Sequence, residues 1–213
     1  MNRKIITRRG AAITALAAFA LLLICVLTGN TADFDDPIRE WFYSLRRPAI
    51  TDAAIVITTL ANKYVIIGFC LMLLIISRTR MTFGVPLSAG ALGVTILNSL
   101  IKHLVQRTRP EVLHLVTEHG NSFPSGHSIT SLFFYGMAIW LVWQYVDNRT
   151  AKWILTILLA IPMLLIGPTR VYLGVHYPTD VLGAWCLAII AIVLMIEIIS
   201  NRQSSTRFNA RAK

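Results

Sequence analysis

Residues 169–180, TRVYLGVHYPTD, bring Arg170, His176 and Asp180 together within twelve positions of an otherwise apolar chain. A carboxylate within reach of an imidazole accepts one ring N–H, fixes the tautomer and leaves the other nitrogen free for nucleophilic attack. Tyr177-Pro178 interrupts simple helical spacing, because proline favours the first position of a helix. Asp180 is therefore expected in the first turn of a following helix, with His176 just outside it. By itself the segment is equally consistent with a structural His–Asp hydrogen bond.

Two further clusters carry comparable chemistry. In KHLVQRTRP, Lys102 and Arg109 are seven residues apart, which on a helix is close to two turns and puts both on one face. Pro110 disfavours helical geometry at Arg109 and ends the segment. An ammonium and a forked guanidinium aimed the same way suit a phosphate, although two basic residues at the end of a span also serve as snorkelling anchors. In PSGH, Ser125 is a helix N-cap, Gly126 allows close approach of a ligand to the backbone, and His127 follows in the first turn. Free N–H groups at a helix start favour an anion; considered singly, this is also just a helix start.

Long apolar segments must position these groups. The 213 residues are 55% hydrophobic and 14% charged, with a mean hydropathy of +0.64, which is the composition of a membrane protein. A hydrocarbon core about 30 Å thick takes about 20 apolar residues per helical span. Six runs are expected to cross it: 11–28, 53–76, 83–101, 128–146, 153–167 and 181–199. They are continuous rather than alternating, which sets aside a strand barrel. The fifth is the shortest, although the stretch after Pro168 can extend it, and Pro162 predicts a kink within it. The first run, 18 residues long, exceeds the ~7 to 15 of a secretory leader, and no small-x-small cleavage site follows it. An uncleaved first span is expected.

Lysine and arginine are retained preferentially on the cytoplasmic side. Alternating spans put twelve of the 20 on the side of both termini and eight on the other, so both termini are expected in the cytoplasm. The net charge of +10 is then a matter of topology and anionic headgroups, with no need for nucleic acid. The tail NRQSSTRFNARAK reads as a solvated end that retains the last span. Cys25, Cys70 and Cys186 lie within expected spans, far apart and without ligand spacing, and are expected as reduced packing residues.

The first outer loop, FDDPIREWFYSLRRP, mixes aromatics with charges and suits an interfacial helix. Trp140, Trp143, Tyr145 and Trp153 form a belt at the opposite ends of the fourth and fifth spans. Gly84, Ala89, Gly90 and Gly93 in the third span, and Gly183, Ala184 and Ala188 in the sixth, predict that these two pack in the interior. The expected architecture is an all-α integral membrane bundle of six transmembrane helices with an interfacial helix in the first outer loop, forming one domain over 1–213.

Odd–even alternation places all three polar clusters on the same membrane side. Ionisable groups near a membrane are costly and count as functional. Together they supply positioned positive charge, a helix N-terminus, an orientable nucleophile and an acid, the set that phosphoryl transfer through histidine requires. No carboxylate cluster for a metal is evident, and no cofactor is expected.

The chain here resembles the type 2 phosphatidic acid phosphatase superfamily, membrane lipid phosphatases related to glucose-6-phosphatase and vanadium haloperoxidases. The family pattern of lysine, six residues, Arg-Pro, then Pro-Ser-Gly-His, then Ser-Arg, five residues, His, three residues, Asp appears as Lys102 to Arg109-Pro110, Pro124 to His127, and Thr169-Arg170 to His176 to Asp180. The one departure is Thr169 in place of serine. The resemblance implies that His176 is the nucleophile, oriented by Asp180, and that His127 protonates the leaving group. Lys102, Arg109, Ser125, Gly126 and Arg170 would hold the phosphoryl oxygens. His103, Arg107, Glu111, His114, Glu118 and His119 match no family position and are expected in a solvated loop, with Glu118 and His119 available for headgroup contacts.

The implied activity is metal-independent hydrolysis of a lipid phosphomonoester or diphosphate at the outer face of a bacterial inner membrane. Undecaprenyl diphosphate, phosphatidylglycerophosphate and phosphatidic acid are the implied substrates. A lipid A phosphatase or a lipid-to-lipid phosphotransferase would use the same site. A non-catalytic phospholipid-binding or transport protein would instead place charges near mid-span and leave both histidines idle.

Overall fold

The computed structural model describes the backbone of residues 3–211 and the side chains of 6–203. Every regular element among them is helical: α1 Arg3–Leu27, α2 Ala32–Ser44, α3 Pro48–Thr59, α4 Lys63–Ile75, a short turn α5 Ser77–Thr79, a π-turn Arg80–Gly84, α6 Val85–Val105, α7 Gly126–Tyr145, α8 Arg149–Tyr172 and α9 Pro178–Arg211. The starts follow from local chemistry. Side-chain oxygens of Asn62, Ser125 and Asn148 accept from the first-turn amides of α4, α7 and α8, the usual office of an N-cap. Pro48 and Pro178 open α3 and α9, where the missing N–H costs nothing.

The chain is a multi-pass membrane protein. By length and composition Ile6–Leu27, Ser77–Val105, Arg149–Tyr172 and Pro178–Gln203 can each cross a membrane; Pro48–Thr59 and Lys63–Ile75, bent by 43°, make a fifth span if counted as one. Two of the six expected runs therefore differ from expectation. The run 53–76 is broken around Asn62, which accepts from the amide of Tyr64 and starts a new helix. The run 128–146 forms α7, but Ser128, Thr130, Ser131 and Gln144 dilute its apolar character. It can afford them because it packs against α6, α8 and α9 rather than against lipid.

The fifth run extends beyond Pro168 to Tyr172. The third begins within the π-turn, at residues 83 and 84, and continues as α6. The first-loop helix is α2; Phe34 and Trp41 on it are exposed, while Asp35 is fully buried and ties the helix to the bundle. Cys25, Cys70 and Cys186 are free thiols, with Cys70 buried. Trp143 and Trp153 stack edge to face at 5.3 Å. The side chains of the basic tail beyond residue 203 lie outside the described residues.

The core runs along α7, where Ile129, Phe133, Met137 and Leu141 are fully enclosed. Small residues do let helices approach, at particular positions. A Cβ at Gly90 would lie 2.0 Å from Phe133 Cζ, and one at Gly183 would lie 2.7 Å from Phe123 Cε2. Gly93 has nothing within 4 Å, so it does not mediate packing. Because Phe133 has no room to retreat, Gly90→Ala is expected to cost about 1–3 kcal/mol by overpacking. Gly93→Ala should be neutral or raise stability by up to ~1 kcal/mol through helix propensity. Midpoints of thermal unfolding in detergent distinguish the two.

Candidate active site

Helix ends bring the polar clusters to one end of the bundle. α6 stops at Val105 because Gln106 adopts a left-handed conformation, φ 52°, and donates its N–H to Lys102 O at 3.1 Å. Lys102 and Arg109 therefore do not share a helix face as their spacing predicts. The left-handed turn and the constraint before Pro110 instead carry Arg109 back over the helix end.

His176 lies between α8 and α9, just before Pro178, and Asp180 is in the first turn of α9 as expected. His176 Nδ1 is 3.3 Å from Asp180 Oδ2, and both side chains are almost wholly enclosed. Asp180 Oδ2 also accepts from the Tyr177 amide at 2.9 Å. With Nδ1–H directed at the carboxylate, Nε2 keeps its lone pair and faces Arg109 Nη1 at 3.4 Å. The pKa of His176 lies well below the ordinary value, through burial first and then the charges of Arg170, Lys102 and Arg109.

Arg109 is fixed by carbonyls: Nη1 donates to Val175 O at 2.7 Å, Nε to Gly120 O at 3.0 Å and Nη2 to His119 O at 3.1 Å. Burial lowers its pKa, and the neighbouring carboxylates of Glu118 and Asp180 oppose that shift. Arg170 Nη1 donates to Thr58 Oγ1 at 3.1 Å, Nη2 donates to Glu118 Oε1, and its buried Nε has no partner among the described residues. Lys102 Nζ donates to the carbonyls of Asn121 and Ser122, and so holds the turn that leads into α7.

Ser125 is the expected N-cap. Its Oγ accepts from Ser128 Oγ at 2.8 Å and from Ser128 N at 3.4 Å, which leaves its own proton available to donate. Its amide donates to Asp180 O at 3.1 Å and so joins the start of α7 to the start of α9. Gly126 and His127 present the first amides of α7, which have no partners within the helix. Thr169 Oγ1 donates to Ile166 O at 2.7 Å within α8, so this hydroxyl serves its own helix.

Two residues expected in a solvated loop belong to the centre. Glu118 Oε1 receives Arg170 Nη2 and is 3.7 Å from His127 Nδ1, and Oε2 is 3.7 Å from Arg109 Nη2. A carboxylate thus occupies a pocket walled by three basic side chains. Burial, and next the charge of Arg170, lower the pKa of His127 to about 3, with Glu118 acting against them. His127 is therefore neutral at pH 7 beside Glu118 and Arg170.

Arg107 is the second correction. Its Nη1 donates to Asp180 Oδ1 and Thr179 Oγ1, both at 2.7 Å; its Nη2 donates to Asp35 Oδ2 and Thr31 Oγ1, both at 2.8 Å. Its guanidinium lies 3.9 Å from the Tyr177 ring centroid. Asp35 also accepts from Thr179 N at 2.9 Å. The only sequence signal for Asp35 and Arg107 is that charged residues next to span ends are costly; no spacing links them. Glu111 and His119 are exposed loop residues as expected, whereas His103, though exposed, lies on the last turn of α6 and His114 is half-buried with Nε2 2.9 Å from Pro110 O. Among the described residues no three His, Cys, Asp and Glu side chains converge as a metal site.

Comparison with known proteins places the chain in a family. A family model described as the PAP2 superfamily matches residues 83–204, a region containing every residue of the three motifs. Phosphatidylglycerophosphatase B of Bacillus subtilis (strain 168) is 29% identical over 184 residues, covering 83% of this chain and 89% of the relative. Undecaprenyl-diphosphatase BcrC of the same organism is 34% identical over 156 residues, covering 67% and 72% respectively. The fold is similar to the crystal structure of a transmembrane PAP2-type phosphatidylglycerolphosphate phosphatase from Bacillus subtilis. The TM-score is 0.81 at 24% identity, covering 89% of this chain and 96% of that one.

The Arg107 bridge has a measurable consequence. Arg107→Leu leaves Asp35 and Asp180 buried without a counter-charge, and is expected to cost about 3–5 kcal/mol. Asp35→Asn leaves Arg107 paired with Asp180 and should cost clearly less. Thermal unfolding of both variants at one pH checks the order.

Proposed function

Because this chain belongs to the PAP2 superfamily, we propose that it hydrolyses a lipid phosphate through a phosphohistidine intermediate on His176. The observation that carries this reading is the Glu118 carboxylate held by Arg170, with His127 close by and with Arg109 reaching both Glu118 and Nε2 of His176. That pocket is built for an anion, and a phosphoryl group carries more charge and more acceptor oxygens than the carboxylate it would displace.

With substrate bound, Arg109, Arg170, the Ser125 hydroxyl and the amides of Gly126 and His127 hold the equatorial oxygens. Lys102 adds positive charge from behind the turn it anchors. The His176 Nε2 lone pair attacks phosphorus as the bond to the leaving oxygen breaks, and His127 passes its proton to that oxygen. Asp180 stabilises the charge that develops on the ring. Water then attacks the phosphohistidine, gives its proton to His127, and the N–P bond breaks to release phosphate. His127 can act as acid only when protonated, and the phosphate dianion replacing Glu118 favours that proton. The cationic side chains supply the charge stabilisation that a metal provides elsewhere, so the reaction runs without one.

The substrates named for the relatives, phosphatidylglycerophosphate and undecaprenyl diphosphate, are the first to test, with phosphatidic acid. Retention of basic loops supports a site at the outer face of a bacterial inner membrane, with both termini in the cytoplasm. The close His176–Asp180 pair favours catalysis over lipid binding or transport.

The purified protein should release phosphate from these lipids without added divalent cation, and His176→Ala should abolish release. The depressed pKa of His176 keeps its neutral form present as pH falls, so the acid limb of kcat/KM should lie below the ordinary histidine value of about 6.5. Full activity in His176→Ala would sink the mechanism. Running the panel with a lipid acceptor present separates hydrolysis from transfer.

A further inference from the structure

A cavity of about 710 Å³ opens from the anion pocket between α4, α6 and α7. α4 and α6 are joined through the turn at 76–84 and run in opposite directions. The start of α4 and the end of α6 therefore share the phosphate end of the cavity, and Leu74 and Ser88 mark its far end. Its charged and histidine lining residues, Lys63, Glu118, His119 and His127, all lie at the phosphate end, and α7 contributes nothing beyond Thr130. From there only α4 and α6 wall it.

That stretch is a groove with a regular design. On α4 it is lined by positions 67, 70, 71 and 74, and on α6 by positions 88, 91, 92 and 95. Both sets follow i, i+3, i+4, i+7, so each helix turns one face to it, and no position in either set is charged. The rim is large and open, with Ile67 52%, Leu71 53% and Leu92 62% exposed; the floor is small and buried, with Cys70 at 8% and Ala91 at 7%. Thr95 Oγ1 donates to Ala91 O at 2.7 Å, so its hydroxyl is satisfied within its own helix. Asn98 and Ser88 are ten residues apart on α6, about 15 Å at ~1.5 Å per residue. With C–C bonds of ~1.5 Å an extended alkyl chain advances about 1.3 Å per carbon, so this length holds about twelve carbons. Ala91 is seven residues from Asn98, level with about the eighth carbon.

We propose that this groove receives one hydrocarbon chain of the substrate over about its first twelve carbons, and that Ala91 and Cys70, as its floor, determine which chains fit. This rests on the lipid phosphatase reading above. The groove continues directly from the anion pocket, so its occupant is joined to the phosphate. A sugar or peptide there would face uncharged walls with its polar groups unpaired, whereas a hydrocarbon chain has none to satisfy. A second chain, where the lipid has one, stays outside the rim. Moving a chain from surrounding lipid into an apolar groove gains little, because the two settings are equally apolar. Selection therefore works by shape, and a larger side chain on the floor removes room that packed helices do not give back.

The test uses butyl phosphate, whose chain ends short of Ala91, and dodecyl phosphate, whose chain passes it, both below the concentrations at which they form micelles. Ala91→Phe is expected to lower kcat/KM for dodecyl phosphate relative to butyl phosphate by at least ~5-fold, the lower end of the overpacking scale. An active variant with an unchanged ratio overturns the inference. For a variant that loses both activities, a measurement on the wild type decides: photolysis with dodecyl phosphonate carrying a diazirine on its eighth carbon, followed by peptide mapping. Label is expected on α4 and α6 around Cys70 and Ala91, and is expected to fall when excess unmodified dodecyl phosphonate competes. Label on other helices, or label that competition does not reduce, overturns the inference. A wild type that releases phosphate from neither alkyl phosphate nor any lipid phosphate defeats the phosphatase reading instead. Release from both alkyl phosphates with label away from α4 and α6 defeats the chain groove alone.

Discussion

Arg107 between Asp35 and Asp180 is the interaction on which the active end of this bundle depends. Two fully enclosed carboxylates carry a desolvation cost that only close, well-directed counter-charge can offset. The planar guanidinium supplies it by giving one nitrogen to each acid at 2.8 and 2.7 Å. A lysine ammonium has no such fork. The bridge joins α2, the loop after α6 and the start of α9, and so fixes Asp180. Asp180 in turn sets the tautomer of His176.

The same physics explains the arrangement around His176, the proposed nucleophile. Burial and surrounding cations keep His176 neutral, the state in which its Nε2 lone pair exists. Carbonyl oxygens hold Lys102 and Arg109, and Thr58 and Glu118 hold Arg170, so protein groups themselves fix the cations. Preorganised charge of this kind lowers a phosphoryl-transfer barrier without the cost of rearranging dipoles during reaction. Glu118 keeps the pocket from standing as unpaired positive charge in a low-dielectric setting.

Much of this was legible in the sequence because it depends on local chemistry. Ser125 and Pro178 mark helix starts by capping and by fixed φ, so the positions of His127, His176 and Asp180 relative to α7 and α9 followed directly. What escaped was long-range or conformational. Asp35 meets Thr179 across 144 residues, and no periodicity encodes that contact. Gln106 takes a left-handed turn that its residue type does not announce, so spacing alone puts Lys102 and Arg109 on one helix face. Arg107 and Glu118 looked like ordinary loop charges because solvation is the default for such residues. The break at Asn62 is a capping choice within an apolar run, and hydropathy alone reads straight through it.

The central claim is that phosphorus is bonded transiently to Nε2 of His176. Alkaline quenching of a reaction with lipid carrying a radiolabelled phosphate tests this most directly, followed by mapping of the labelled peptide. The account predicts an acid-labile, base-stable phosphoryl group on His176 that appears and disappears within a turnover and is absent from His176→Ala. Label on a different side chain, or turnover of labelled lipid with no protein-bound phosphoryl group at any time, would contradict it.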